Sequence, residues 1–354
     1  MRKNAVWVDS LTPKQARIAV EIYNSLSELY NVIITARKYN YTLKIFDLFD
    51  VPYTAIGRHG GGTLEGKLLA STERAYNLAK FISSRGYEIK CLISYPSPEA
   101  VRVAFGLGIP IIILTDTPHA RHASLLTLPF ADKIIVPKCI KPEAFSYATP
   151  NFAEKIIRFE GIFEKIWIHQ LPPPKESIEE LGLEIGKYVI IRLEESKAAY
   201  YQWREKSPSM ILAKKIQSKI KDIDIVFMPR YEDQKRVLRK EFPYSVILEK
   251  AVDSLPLVYY AKAVITGGGT LAHEAALVGT PAVTLFPKHY EVEEYLQKKG
   301  FPLLHVVCVD NKSVEKILQF IETKGSARDR YLSILNTLED PMRVIIKCLK
   351  LLER

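Results

Sequence analysis

Two successive series of short apolar runs, each run followed by a helical pattern, leave this 354-residue chain little choice of architecture. In the first series the runs are Ala5 to Val8, Asn31 to Thr35, Tyr53 to Ile56, Lys90 to Ser94 and Ile109 to Thr115. Helical patterns separate them at Pro13 to about Ser27, Thr42 to Phe49, Leu64 to Ser84 and Pro98 to Gly106. Runs that are apolar throughout suit strands covered on both faces, and their alternation with helices calls for a doubly wound parallel sheet. Phe130 to Val136 and Ile156 to Phe159 extend the series, and Leu171-Pro172-Pro173-Pro174 then marks a stiff linker. A second series follows: Tyr188 to Arg192, a helix from Pro208 to Lys219, Ile223 to Met228, a helix through Asp233 to Phe242, Val246 to Leu248, and Leu255 to Ala261. Ala263 to Ile265, Thr284 to Phe286 and Leu304 to Val309 complete it. The expected fold class is α/β, with two Rossmann-like doubly wound domains facing across a cleft. Their expected bounds are residues 1–170 and 171–338, and an amphipathic tail, 339–354, packs back on the first. A chain of this length is also long for one core.

The most informative stretch is Ala263 to Pro287, where a strand empties into Gly267, Gly268 and Gly269 and restarts as a helix. Glycines let the backbone take φ > 0 and let a second body approach its N–H groups closely. Thr270 stands where the helix would be capped, and Gly279-Thr280-Pro281 stops it. A helix N-terminus carries unpaired N–H groups and about half a positive charge, so this order of elements makes a phosphate site. Glu274, one turn further, cannot hold a phosphate but can accept hydrogen bonds from a ribose diol. The plainer alternative is a tight turn and nothing more, because the dinucleotide spacing G-x-G-x-x-G is absent.

Asp116 to His122, DTPHARH, directly follows a buried strand, and ligands of doubly wound sheets lie at such carboxyl ends. Asp116 could orient His119 or His122 as acid or base. Alternatively, Asp116 caps the next turn while the histidines and Arg121 face solvent. No zinc motif such as H-E-x-x-H accompanies them, and no metal is expected. His59 lies in the glycine-rich loop Gly57 to Gly62, a flexible, basic lip for a binding site. Arg192 and Arg230 both follow apolar strands, in positions to neutralise a diphosphate by charge-assisted hydrogen bonds. Asp233 and Gln234 suit either a sugar contact or a helix start, and His289, Tyr290 and Glu291 follow the strand after the glycine turn.

The formal net charge is +10, but Lys and Arg are dispersed among Glu rather than clustered, which argues against nucleic acid. Peripheral contact with an acidic membrane surface is compatible with that charge. The four cysteines form no C-x-x-C pair and are expected to be reduced, in a cytoplasmic chain without signal peptide or membrane span. Cofactors are not expected, and the oligomeric state is open.

TPKQ near the start, DTPHARHASLLTLPFADKIIVP, PRYEDQ and TGGGTLAHEAALVGTPAV together resemble the domain-of-unknown-function family 354 (DUF354) over essentially the whole chain. The glycine segment is also similar to the donor-binding element of the GT-B superfamily of UDP-sugar enzymes, and more distantly to the non-hydrolysing UDP-N-acetylglucosamine 2-epimerases. That resemblance implies phosphate contacts from Gly267, Gly268, Gly269 and Thr270, a ribose contact from Glu274, and a UDP-linked nucleotide-sugar as ligand. His59, Arg121, His273, His289 and Glu291 would fall on the sugar or acceptor side. The epimerase pattern is broken in three places. Ser94-Tyr95-Pro96 stands where the first acid is expected, Arg192-Leu193-Glu194-Glu195-Ser196 replaces the His-Arg motif, and His273 replaces a glutamate. Glycosyl transfer to an acceptor is therefore the leading expectation. An epimerase or hydrolase with rearranged groups and a non-catalytic nucleotide-sugar-binding module are the alternatives.

Overall fold

The computed structural model describes residues 4–39, 41–148, 152–194, 207–286, 290–324 and 327–353. Two compact units divide the chain: Met1–Trp167 together with Glu339–Arg354, and Ile168–Leu338.

The first unit is built on β1 (Asn4–Ser10), β2 (Asn31–Lys38), β3 (Thr54–Arg58), β4 (Glu88–Ser94), β5 (Ile111–Leu114), β6 (Lys133–Pro137) and β7 (Ile156–Phe159). Helices α1 (Pro13–Leu26), α2 (Thr42–Leu48), α3 (Leu64–Ser83), α4 (Pro98–Gly106), α5 (Arg121–Leu125) and α6 (Phe152–Lys155) connect them. All strand pairs are parallel, in the order β3-β2-β1-β4-β5-β6-β7. The order reverses between β1 and β4, and the register sets Asp9 beside Ser94 at their carboxyl ends. Such a switch point is where a parallel sheet opens a crevice. Val6, Trp7, Leu92, Ile93, Ile112 and Ile113 are fully buried, as strands between two helical layers must be. Pro13 opens α1 at a position whose N–H would be unpaired in any case.

The second unit repeats the plan with β8 (Tyr188–Arg192), β9 (Asp224–Met228), β10 (Val246–Ile247), β11 (Ala263–Thr266), β12 (Ala282–Thr284) and β13 (Leu303–His305). Its parallel order is β10-β9-β8-β11-β12-β13, reversing between β8 and β11. Around it lie α7 (Glu176–Glu180), α8 (Pro208–Lys219), α9 (Glu232–Glu241), α10 (Ser254–Tyr260), α11 (Gly269–Leu277), α12 (Glu291–Lys299), α13 (Asn311–Lys324) and α14 (Arg328–Thr337). Ile191, Ile265, Phe227, Leu212 and Ile317 join the strands to α8 and α13 in one core. The chain then returns to the first unit as α15 (Pro341–Leu352), capped by the Asp340 carboxylate, which accepts from the Met342 N–H at 2.8 Å. No helix among the described residues is long and apolar enough to cross a membrane.

Two strands are shorter or earlier than their apolar runs. Of Leu304 to Val309 only Leu304 and His305 enter the sheet, in a strand that starts at Leu303, and Ala282–Thr284 pairs where Thr284 to Phe286 was expected. The apolar pattern of Leu285 and Phe286 reports burial, which continues past the ladder into the loop. Burial and strand pairing are different constraints, and only the first is written in hydrophobicity.

Candidate functional site

In the second unit β11 ends beside β8, with Thr266 in register with Arg192. The Gly267 N–H donates to the Arg192 carbonyl at 3.1 Å, and the Gly268 N–H to Thr266 Oγ1 at 3.1 Å. Gly268 is the residue before the helix, and α11 starts at Gly269, so Thr270 lies inside the first turn and is not the cap. That corrects the sequence expectation: the turn is closed by the hydroxyl of Thr266, the last residue of β11. None of the three glycines has positive φ. What they supply is room. A Cβ at Gly267 would lie 2.6 Å from Glu194 Cα, and one at Gly269 would lie 2.7 Å from His273 Cε1. Gly268 differs, because the nearest atom to a Cβ there is Arg230 Nη2 at 3.3 Å. A guanidinium thus stands against the glycine at the positive end of a nine-residue helix.

Two hydrogen bonds fix Arg230, one through its side chain and one through its backbone. Its Nε donates to the Leu193 carbonyl at 3.1 Å, and its N–H donates to Gln234 Oε1 at 2.7 Å. Gln234 Nε2 in turn donates to the Glu194 carbonyl at 3.1 Å. The Glu194 side chain turns the other way, into the start of α8, where it accepts from Ser207 Oγ at 2.6 Å and from Ser209 N–H at 2.9 Å. A buried carboxylate at a helix N-terminus, receiving charge-assisted hydrogen bonds, is a strong structural tie. Gln234, offered as a sugar contact, therefore braces the turn. Asp233 accepts from the Gln234 N–H at 3.0 Å in the first turn of α9.

Glu274 is 1% exposed, and both its oxygens accept from Ser254 Oγ, at 3.0 and 2.8 Å. Ser254 opens α10, so Glu274 links two adjacent helices. His273 is buried too, its Nε2 3.9 Å from Glu293 Oε1, and Glu293 accepts from Thr284 Oγ1 at 3.1 Å. Arg192 and Glu291 are half-buried, the latter in the first turn of α12 beside Tyr290, whose ring stacks on Phe286 at 4.5 Å. His289 lies outside the described residues.

The first unit carries charge at the carboxyl ends of its central strands. Asp116 follows β5 and is 7% exposed; its carboxylate receives Lys14 Nζ at 2.5 Å. Lys14, in the first turn of α1, also meets Glu164 at 2.9 Å and lies 5.7 Å from the centre of the Tyr95 ring. Burial alone would lower the Lys14 pKa, but the two carboxylates outweigh it and hold the ammonium above the ordinary lysine range. Burial also pushes the Tyr95 phenol well up, and Asp116 and Glu164 add to the shift. Asp116 is thus anchored to a lysine 102 positions away in the chain. His119, Arg121 and His122 are exposed, with Arg121 4.5 Å over the Tyr147 ring. His59 is exposed and stacks on Tyr39 at 4.7 Å, while its Nδ1 accepts from the Gly61 N–H at 3.2 Å.

Beside this group is a second cluster that sequence reasoning missed. Asp9 accepts from Arg74 Nη2 at 2.6 Å, from Thr35 Oγ1 at 2.5 Å and from Ser97 Oγ at 2.7 Å, with Arg74 fully buried. A signal for it existed. Arg74 sits among Ala70, Leu78 and Ile82 at helical spacing on the inward face of α3, and Gly57 is the residue that leaves it space. A Cβ at Gly57, whose φ is +79°, would lie 2.6 Å from Arg74 Cγ. Lys14 and Glu164 had no such local signal.

The family described as protein of unknown function, DUF354, matches residues 5–351. The chain belongs to the DUF354 family. Uncharacterized protein MJ0665 of Methanocaldococcus jannaschii is 28% identical over 344 residues, 95% of each chain. Among solved structures, the UDP-GlcNAc 2-epimerase of Methanocaldococcus jannaschii, in complex with UDP-GlcNAc and UDP, is similar with a TM-score of 0.70. The match is 14% identical and covers 98% of this chain and 99% of that one. The UDP-GlcNAc 2-epimerase of Neisseria meningitidis bound to UDP-GlcNAc gives 0.64 at 14% identity, covering 98% and 99%. The glycotransferase of kitacinnamycin gives 0.61 at 11% identity, covering 100% and 99%. At these identities the likeness is one of fold, and the DUF354 chain has the two-sheet GT-B fold.

Proposed function

We propose that the second unit binds a UDP-linked nucleotide-sugar at the β11–α11 turn and that the protein is a GT-B-type glycosyltransferase. The observation that carries this reading is Arg230, whose guanidinium lies against Gly268 at the N-terminus of α11 and is held by the Leu193 carbonyl, while Gln234 holds its backbone N–H. A cation already oriented at a helix N-terminus suits a diphosphate, whose charge grows as it leaves. Gly267, Gly268, Gly269 and Thr270 offer the N–H groups, Arg192 adds a second cation, and Glu274 with Ser254 supplies acceptors and a hydroxyl for a ribose. The UDP-GlcNAc-bound neighbours of the same fold are consistent with this class of ligand.

On the first unit we assign Asp116 as the base. Its carboxylate is buried and held 2.5 Å from Lys14 Nζ, which positions it for that role. Transfer needs a base that takes the proton of an acceptor hydroxyl as its oxygen bonds to the anomeric carbon, the role proposed for Asp116, and a cationic group for the UDP that departs with the bonding electron pair, the role proposed for Arg230. His119, on the loop after Asp116, and His122, in α5, are the alternative bases, and His59, Arg121, His273, His289 and Glu291 are proposed for the sugar or acceptor side.

Calorimetric titration with UDP, UDP-GlcNAc, GDP and a sugar phosphate tests the donor site. One nucleotide diphosphate should bind saturably, and Arg230→Ala should weaken it by about 1.5–3 kcal/mol, the worth of hydrogen bonds to a charged group. Glu274→Ala should abolish the preference for a ribose-bearing ligand. No binding to any of the four would leave the glycine turn as a packing device. A second reading is favoured by the buried Lys14, Asp116 and Tyr95 group, which could shuttle a proton on the sugar itself. Conversion of a UDP-sugar with no acceptor present would establish epimerisation or hydrolysis instead of transfer.

A further inference from the structure

Helix α3 turns its inward face, Ala70, Arg74, Leu78 and Ile82, to the sheet and leaves a large apolar surface outside. Leu64, Leu68, Leu69 and Tyr76 are 86%, 68%, 62% and 63% exposed. Next to them Ser71, Thr72 and Ala75 form one wall of an open groove of about 380 Å³, whose other wall includes Arg102 and Phe105 of α4. A surface of this kind on a folded unit marks a contact site.

The order of residues along α3 indicates what covers it. Glu65, Leu69, Thr72, Glu73, Tyr76 and Lys80 share one exposed face of the helix, at spacings of three, four and seven residues. This face is a palindrome of chemistry. The midpoint between Glu65 and Lys80 is also the midpoint between Leu69 and Tyr76 and between Thr72 and Glu73. An antiparallel copy of the same helix therefore sets each Leu69 on a partner Tyr76 and each Glu65 opposite a partner Lys80. That is the self-complementarity a twofold contact requires. An anionic bilayer fits less well, because Glu65 and Glu73 lie within the face and would meet its headgroups.

We infer that the first unit pairs with a second copy of this chain through α3, about a twofold axis passing between Thr72 and Glu73. Thr72 and Glu73 lie at the axis, the Leu69–Tyr76 pairs flank it on either side, and the Glu65–Lys80 pairs form the rim. Every group involved belongs to the first unit, so the pairing is independent of what the second unit binds.

Sedimentation velocity on the full chain tests this, with circular dichroism as the check on folding. The wild type should sediment as a dimer at micromolar concentration. Leu69→Asp should keep its melting curve and raise the dissociation constant by about tenfold or more, as loss of a central anchor does. Glu65→Lys and Lys80→Glu should each weaken the homodimer, and mixing the two variants should restore dimers, because each repelling pair becomes an attracting one. A wild type that stays monomeric overturns the inference. So does a dimer indifferent to all three substitutions, which would place the contact elsewhere. A monomer that binds phosphatidylglycerol vesicles through Leu69 would overturn it in favour of a bilayer surface.

Discussion

At the residue scale, the strongest energetic commitments are buried charges, and these are also the residues hardest to find from sequence. Asp9 and Arg74 are both inaccessible and satisfy each other with help from Thr35, Ser97 and the Ile56 carbonyl. Replacing Asp9 by Asn would remove the nearer of the two carboxylates that face the buried guanidinium, leaving only Glu99 at 3.5 Å. A loss of about 3–5 kcal/mol is expected, measured by chemical denaturation. In the linear sequence Asp9 reads as an interruption of an apolar strand and Arg74 as one more helix-surface cation. Lys14 and Asp116 illustrate the same difficulty. Proximity of Asp116 to His119 and His122 along the chain suggests a carboxylate–histidine pair, and nothing there points to Lys14, which the fold delivers from 102 residues away. Cysteines behave more simply. Burial pushes the Cys348 thiol up to about 11 and the Cys91 thiol higher, while Cys308 is exposed. A maleimide should therefore label Cys308 first in the native chain and reach Cys91 and Cys348 only after unfolding, as peptide mapping would show.

At the element scale, the strand–turn–helix around Gly267 to Gly269 separates structural from ligand-directed glycines. Gly267 leaves space for the backbone of Glu194, which cannot swing aside. Gly267→Ala should cost about 1–3 kcal/mol as an overpacked site, visible as a lowered denaturation midpoint. Gly268 has extended φ of −155°, which any residue adopts, and faces only the end of Arg230. Gly268→Ala should keep the midpoint near wild type while weakening UDP in the calorimeter, because its methyl stands where a phosphate would approach. A run of three glycines between an apolar strand and a helix was enough to locate the turn from sequence. It did not tell which glycine meets protein and which meets the Arg230 guanidinium, because that depends on β8 and α9 lying alongside.

For the whole molecule, the unusual feature is that the chain completes its first unit with its last helix. The Glu339 N–H donates to the Glu160 carbonyl at 2.7 Å, and α15 buries Met342, Ile345, Cys348 and Leu349. Removing residues from Glu339 onward would forfeit about 6–12 kcal/mol of apolar burial, counting 1.5–3 for each of the four side chains. That approaches the entire stability of a typical domain. The truncated chain should lose the cooperative unfolding of its first unit, followed by hydrogen exchange of β1 and β4. By itself, the amino-acid sequence determined the α/β class, both parallel sheets, most strand and helix positions and the glycine turn, because these follow from hydrophobic period, proline and glycine acting over a few neighbouring residues. Only the tertiary structure decided which charges meet. Strand order and burial join Lys14 with Asp116 and Asp9 with Arg74 and set the Arg230 guanidinium against Gly268, bringing together residues that no local pattern connects.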